Sequence, residues 1–122
     1  MKTLYTYKDL IVWQKSVELV VAVYTLTNQF PKSELYGLSA QMKRAAVSIP
    51  SNIAEGRRRR GQKSFKYFLV IAYGSGAELE TQVEIAKRLS FGGEYQPVDS
   101  LLLEVMKMLN KIPVKFRNLT TN

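Results

Sequence analysis

The chain has 122 residues with 18 basic and 10 acidic side chains, and it contains neither cysteine nor histidine. A chain of this length forms one domain and can bury a core without metals or disulfides. The two missing residue types exclude disulfides, zinc–thiolate sites, cysteine nucleophiles and the histidine of a serine triad. The net charge of +8 favours a polyanionic partner, with nucleic acid as the first candidate and an anionic membrane surface as the second.

The N-terminal sequence MKTLYTYKDL has no continuous apolar region followed by a cleavage site, so it does not predict a secretion signal. The most apolar run, residues 19–24, is too short to span a bilayer. We therefore expect a cytoplasmic protein without a membrane partner.

The first predicted helix covers about residues 8–29 and shows two apolar stripes when residues are placed at 100° intervals. Two stripes indicate burial on two sides, either within the domain or against another subunit, unless this helix is simply the most central one. The Tyr24 stripe consists of Leu10, Trp13, Val17, Val20, Val21 and Tyr24. The Leu19 stripe consists of Val12, Leu19, Val23, Leu26 and Phe30.

The second predicted helix covers about residues 33–57, with Ser33 as its N-cap. Pro31 ends the helix before it, because the residue preceding a proline avoids helical angles. Pro50 lies inside the second helix, where it removes one backbone hydrogen bond and predicts a kink. The apolar positions keep helical spacing across this proline: Leu35, Leu38, Met42, Ala45, Ile49, Ile53 and Gly56.

The third predicted helix covers about residues 63–91 and contains the sequence GSGA at residues 74–77. Interior glycines weaken a helix, but the apolar spacing continues in phase, so this run predicts a close approach of another backbone; a helix break is the alternative. The fourth predicted helix covers about residues 97–119, with Pro113 interrupting its last turns. Four amphipathic helices with short connections predict an all-α, antiparallel up-down-up-down four-helix bundle over residues 1–122.

Six basic side chains fall within ten residues where the second and third helices meet. We call them the basic cluster: Arg57, Arg58, Arg59, Arg60, Lys63 and Lys66. Lys43 and Arg44 on the preceding helix complete the predicted nucleic-acid-binding set. Arginine matches phosphate oxygens two at a time, and no base-reading motif is visible, so we expect recognition by charge and shape. The alternative is a turn that is only solvated.

A row of polar residues, Ser48, Asn52 and Glu55, lies at helical spacing beside the apolar positions of the second helix. It predicts either a solvated face or a hydrogen-bonded seam against the third helix. The acidic residues of the third helix do not predict a metal site, because di-metal bundles combine carboxylates with histidine. Arg88 lies one turn after Glu84, which makes an ion pair the simpler interpretation.

Four stretches of the chain are distinctive in combination: YKDLIVWQKSVELV, YGL at residues 36–38, RAAVSIPSNIAEGRRRR, and SFKYFLVIAYGSGAELETQVEIAKRL. Together they resemble the bacterial four helix bundle protein family, which is also named for 23S rRNA intervening sequences. The resemblance covers about residues 5–91. The motif residues that it carries over to this chain are Pro50, Asn52, Glu55, Gly56, Ser75, Glu78 and Glu80.

The resemblance implies a bundle that assembles into a ring-like homo-oligomer, with a homopentamer as the expected state. The family is similar to the accessory variability proteins of diversity-generating retroelements, which are basic pentameric barrels that bind RNA and a reverse transcriptase. For most of the motif residues a structural role is expected, and two of them extend the polar row to a predicted seam of Ser48, Asn52, Glu55, Ser75 and Glu78.

These observations predict a non-enzymatic, basic, oligomeric module that binds nucleic acid, with RNA as the expected partner and a nucleic-acid enzyme such as a reverse transcriptase as a further one. The alternative is a protein–protein interaction scaffold with no nucleic-acid role, which the second stripe of the first helix suggests. An enzyme based on Glu and Lys is the third hypothesis, but no motif supports it. We therefore expect no catalytic residue, no metal and no cofactor.

Overall fold

The computed structural model describes residues 6–111 of the chain. Short 3₁₀ turns at Tyr7–Asp9 and Lys32–Glu34 precede the first and second helices, and the described part contains no strand. The all-α prediction is therefore confirmed, while predicted helical residues 112–119, with Pro113, lie outside the described residues. The four α-helices are α1 (Ile11–Thr27), α2 (Leu38–Arg58), α3 (Gln62–Arg88) and α4 (Gln96–Lys111).

The four helices pack as an antiparallel bundle, in which each helix contacts the next and α1 also contacts α4. Ion pairs along α4 fix its direction relative to both neighbours. Asp99 in its first turn lies 2.8 Å from Lys87 in the last turn of α3, and Glu104 lies 3.6 Å from Lys15 near the start of α1. One end of the bundle therefore contains the start of α1, the α2–α3 junction and the end of α4.

The Leu19 stripe of α1 forms part of the core, and all five of its residues are buried. The Tyr24 stripe is different, because Leu10, Trp13 and Val20 pack at the edge of the core. Val21 and Tyr24 remain 61% and 45% exposed. Within the described chain, the second apolar side of α1 thus has an exposed portion that the bundle itself does not cover.

The other three helices bury one apolar face each, at the spacing that the sequence predicts. The buried residues of α2 include Met42, Ala45, Ile49, Ile53 and Gly56. Those of α3 are Leu69, Ala72, Gly76, Leu79, Gln82, Val83 and Ala86. Those of α4 are Val98, Leu102, Val105, Met106 and Leu109. Leu35, predicted to join the second helix, precedes α2 and is half exposed.

Helix α3 runs without a break through the GSGA sequence. The sulfur of Met106 on α4 occupies the place that a β-carbon on Gly76 would need. A β-carbon on Gly74 would have no atom of residues 6–111 within 4 Å, apart from the surrounding turns of its own helix backbone. At Gly76 the nearest neighbour is therefore a side chain of α4 and not a second backbone. The space at Gly76 accepts a side chain, and Gly74 lies on the exposed side of α3.

Two helices begin later than the apolar pattern predicts, because local hydrogen bonds form 3₁₀ turns first. Thr6 Oγ1 accepts a bond of 3.0 Å from the backbone N–H of Lys8, and the α-helix begins only at Ile11. Glu34 Oε1 accepts a bond of 3.1 Å from the N–H of Leu38, the first residue of α2. The prediction of Ser33 as N-cap is wrong, since Gly37 occupies that position.

Helix α3 ends three residues earlier than predicted, at Arg88. Ser90 adopts a left-handed conformation with φ of 61°, which ends the helical path. The chain then turns so that the ring of Phe91 packs against that of Phe30, with 5.2 Å between centroids. Helix α2, in contrast, continues across Pro50 to Arg58.

Candidate nucleic-acid interface

The basic cluster is built on two helix ends and a very short connection. Arg57 and Arg58 belong to the last turn of α2, and Lys63 and Lys66 belong to the first turns of α3. Only three residues, Arg59, Arg60 and Gly61, join the helices. Arg60 has a φ of 64°, and its N–H donates to the Arg57 carbonyl at 3.3 Å. The turn between the helices is therefore only three residues long, and four of the six cations have helical positions.

Gly56 lets α2 and α3 approach closely just before the cluster. A β-carbon at this position would lie 2.7 Å from the Phe68 β-carbon and 3.3 Å from the Phe65 carbonyl oxygen. One of these atoms is a backbone oxygen of α3 and the other is a β-carbon attached directly to that backbone, so neither can move away by side-chain rotation. The absence of a side chain at Gly56 thus allows the short distance between the two helices next to the basic cluster.

Acidic side chains compensate little of this positive charge. Arg59 Nε lies 2.9 Å from Glu55 Oε2, and the same guanidinium lies over the Phe68 ring at 5.3 Å from its centroid. Within residues 6–111, the other five members of the cluster form no ion pair. The N-terminus of α3 has no side-chain cap at Gly61, so its backbone N–H groups add positive potential at the same place.

A groove lies between the basic cluster and the 3₁₀ turn that precedes α1. It encloses about 860 Å³ and is lined by Thr6, Tyr7, Lys8 and Glu55 together with residues 57–60. A smaller hollow of about 330 Å³ shares Arg59 with the groove and is also bounded by Lys63, Ser64, Tyr67 and Phe68. The sequence does not indicate that Tyr7 and Lys8 line this groove, because their position depends on where the start of α1 meets the end of α2.

Lys43 and Arg44 lie away from the cluster, although the sequence groups them with it. Arg44 precedes Arg57 by 13 residues on the same continuous helix, which corresponds to about 20 Å along the axis. Lys43 instead places its ammonium 4.9 Å from the centre of the Tyr24 ring. These two cations are therefore near the opposite end of the bundle, and the cluster itself is joined by Lys8.

Most acidic side chains of α3 and α4 lie toward that opposite end. Glu84 pairs with Arg88 at 2.9 Å, and Asp99 pairs with Lys87 at 2.8 Å. The hydrogen bond that Lys87 donates to Asp99 is the main reason that the pKa of Lys87 is raised, and burial raises the pKa of Tyr95. Charge is thus unevenly distributed along the bundle, with the uncompensated cations concentrated at the α2–α3 junction.

The polar row of α2 contacts α3 through its serine. Ser48 Oγ and Ser75 Oγ lie 2.6 Å apart, and Asn52 Nδ2 donates to Ser48 Oγ at 3.0 Å. Glu55 and Glu78 do not take part in this bond between helices. Glu55 bonds to Arg59, just after the end of α2, and Glu78 bonds to Gln82 on α3. The seam is therefore a three-residue contact.

Gln82 is the polar residue of this region that the sequence does not single out. Its side chain is buried, and Nε2 lies 3.4 Å from Glu78 Oε2. Its Oε1 atom has no hydrogen-bond partner among the described residues. Nothing in the helical pattern distinguishes it from a solvated glutamine.

Within residues 6–111, no three histidine, cysteine, aspartate or glutamate side chains are grouped so that they could hold a metal ion. None of the helices in that range combines the length and apolarity that a membrane span requires.

Fold and site together define a small four-helix domain with one strongly basic end. The chain matches the family model of the 23S rRNA-intervening sequence protein over residues 8–111, and it belongs to that family. No curated protein matches the chain. The family resemblance seen in the sequence is thereby confirmed.

Proposed function

We propose that this protein is a non-enzymatic nucleic-acid-binding module of the cytoplasm, with RNA as its main partner and charge and shape as the basis of recognition. The observation that supports this most is the basic cluster, in which five of six cations form no ion pair within the described chain. Exposed arginines beside an uncapped helix N-terminus provide several phosphate ligands at one place. The family name, which refers to an rRNA intervening sequence, agrees with RNA as the partner.

Salt dependence gives the first quantitative test. If each chain neutralises about four phosphates, the logarithm of the binding constant falls with the logarithm of salt concentration at a slope of about −3.6 for a duplex. Fluorescence anisotropy with a labelled RNA hairpin at several salt concentrations measures this slope. Binding that does not depend on salt contradicts the proposal.

A matched pair of variants locates the contact. Arg57→Gln/Arg58→Gln and Lys32→Gln/Arg44→Gln each remove two positive charges, and all four cations lack an ion pair within residues 6–111. The first pair lies in the basic cluster and the second lies toward the other end of the bundle. We expect the first variant to make the slope shallower by about two units and the second to change it little. Equal losses in both variants contradict a localised site.

The second part of the proposal is self-association into a ring, with five subunits as the number that the family resemblance implies. Exposed Val21 and Tyr24 support it, because a partly uncovered apolar stripe on a central helix is typical of a subunit contact. Light scattering after size-exclusion chromatography measures the mass. We expect Val21→Glu to dissociate the assembly and Leu103→Glu, at an apolar position of similar exposure on α4, to leave it intact. A single-chain mass for the unsubstituted protein contradicts this part.

In this proposal the assembly brings RNA to a nucleic-acid enzyme, such as a reverse transcriptase. Its alternative is a protein–protein interaction scaffold without a nucleic-acid role, and the same exposed part of the Tyr24 stripe favours it. Affinity capture with and without nuclease distinguishes the two functions. Partners that are lost after nuclease support the RNA-dependent function, and partners that persist support the scaffold.

A further inference from the structure

The groove and the hollow beside the basic cluster lie next to each other along the same end of the bundle. Arg59 lines both of them, so it forms the wall that they share. Its guanidinium lies 2.9 Å from Glu55 and 5.3 Å from the centre of the Phe68 ring. A ligand that occupies both spaces would therefore contact Arg59.

A tyrosine lines each of the two spaces, the groove and the hollow. Tyr7 lines the groove, and its ring meets that of Trp13 edge to face, with 5.3 Å between centroids. Tyr67 lines the hollow, is 56% exposed, and meets the Phe68 ring edge to face at 5.2 Å. Each tyrosine ring thus packs against a second aromatic ring, and part of its surface faces the groove or the hollow.

A positively charged groove with exposed aromatic rings is typical of sites that bind single-stranded nucleic acid. Phosphates of the backbone follow the positive groove, and successive bases stack on aromatic faces whatever their sequence. A duplex hides the faces of its bases, so it would use the arginines and leave both tyrosines without a partner. From this juxtaposition of Tyr7, the basic cluster and Tyr67 we infer that the site takes single-stranded nucleic acid, with bases stacked on the two tyrosines.

This inference rests on the proposed function and narrows its ligand class, so its test compares two forms of one ligand. Anisotropy is measured with a labelled single-stranded 15-mer and with the same strand annealed to its complement, in equal salt. We expect the single strand to bind more tightly. Trp13 is the only tryptophan of the chain and touches Tyr7, so its fluorescence should also change when the single strand binds.

Substitution of the exposed tyrosine tests the stacking itself. Tyr67→Leu keeps an apolar side chain but removes the aromatic face, and we expect it to weaken single-strand binding about 5- to 150-fold. Tyr67→Phe should bind as the unsubstituted protein does. Tyr36 is 92% exposed and lies before α2, at the other end of the bundle, so Tyr36→Leu is the matched control and should have no effect.

The outcomes separate this inference from the proposed function. Equal affinity for duplex and single strand overturns the inference, and so does a Tyr67→Leu variant that binds the single strand normally. If binding in those cases still depends on salt, the proposed function remains intact. No binding of either form by the unsubstituted protein overturns both.

Discussion

Substitution of Gly56 by alanine tests whether the junction beneath the basic cluster depends on the missing side chain. The new β-carbon would lie 2.7 Å from the Phe68 β-carbon and 3.3 Å from the Phe65 carbonyl oxygen. Neither atom can move without shifting α3, so the cost of overpacking should reach about 2–3 kcal/mol. Alanine regains about 1 kcal/mol of helix propensity. We therefore expect Gly56→Ala to lower the free energy of unfolding by about 1–2 kcal/mol.

The matched control is Gly74→Ala on α3, where a β-carbon would meet nothing within 4 Å. Only the gain in propensity remains there, so this variant should be about 1 kcal/mol more stable than the unsubstituted chain. Urea titration followed by circular dichroism, at one protein concentration, measures both changes. In thermal unfolding each kcal/mol corresponds to about 4 °C for a chain of this size. A Gly56→Ala variant as stable as Gly74→Ala would refute the close contact.

Two further predictions concern bonds and protons away from the basic cluster. Ser75→Ala removes the hydroxyl that lies 2.6 Å from Ser48 Oγ and should lower the free energy of unfolding by about 1 kcal/mol. Thr81→Ala is the control, because the Thr81 hydroxyl donates to the Ala77 carbonyl one turn away on the same exposed part of α3. It should cost much less. Equal losses in urea titration would contradict this reading of the seam. The free energy of unfolding should fall above about pH 10, because the pKa values of Lys87 and Tyr95 are raised in the folded protein, which then keeps protons that the unfolded chain has lost. An alkaline stability profile that stays level would contradict the two shifts.

Periodicity predicts most of the core, since burial along a helix requires apolar residues at regular angles. The Leu19 stripe shows this directly, because each of its members is buried. The starts of the helices were less predictable. The bond from the Leu38 N–H to Glu34 Oε1 involves a glutamate that propensity does not mark as a cap. The N-cap is Gly37 instead of the expected Ser33, a shift of about one turn.

The residues of the basic site were also only partly predictable from the sequence. The six cations of the basic cluster are adjacent in sequence and remain adjacent in space, because one short turn joins the helices that carry them. Arg44 lies apart from them, since the 13 helical residues that separate it from Arg57 extend over about 20 Å. Lys8 and Tyr7 join the cluster through tertiary packing of the first 3₁₀ turn against α2, and no local pattern encodes that contact.

Hydrogen exchange with and without RNA shows whether nucleic acid binds at the α2–α3 junction. If it binds there, peptides that cover residues 57–68 and 6–9 should exchange more slowly when RNA is present, with little change around Glu84 and Asp99. Protection confined to the acidic part of α3 and α4, or no protection at saturating RNA and low salt, would contradict it.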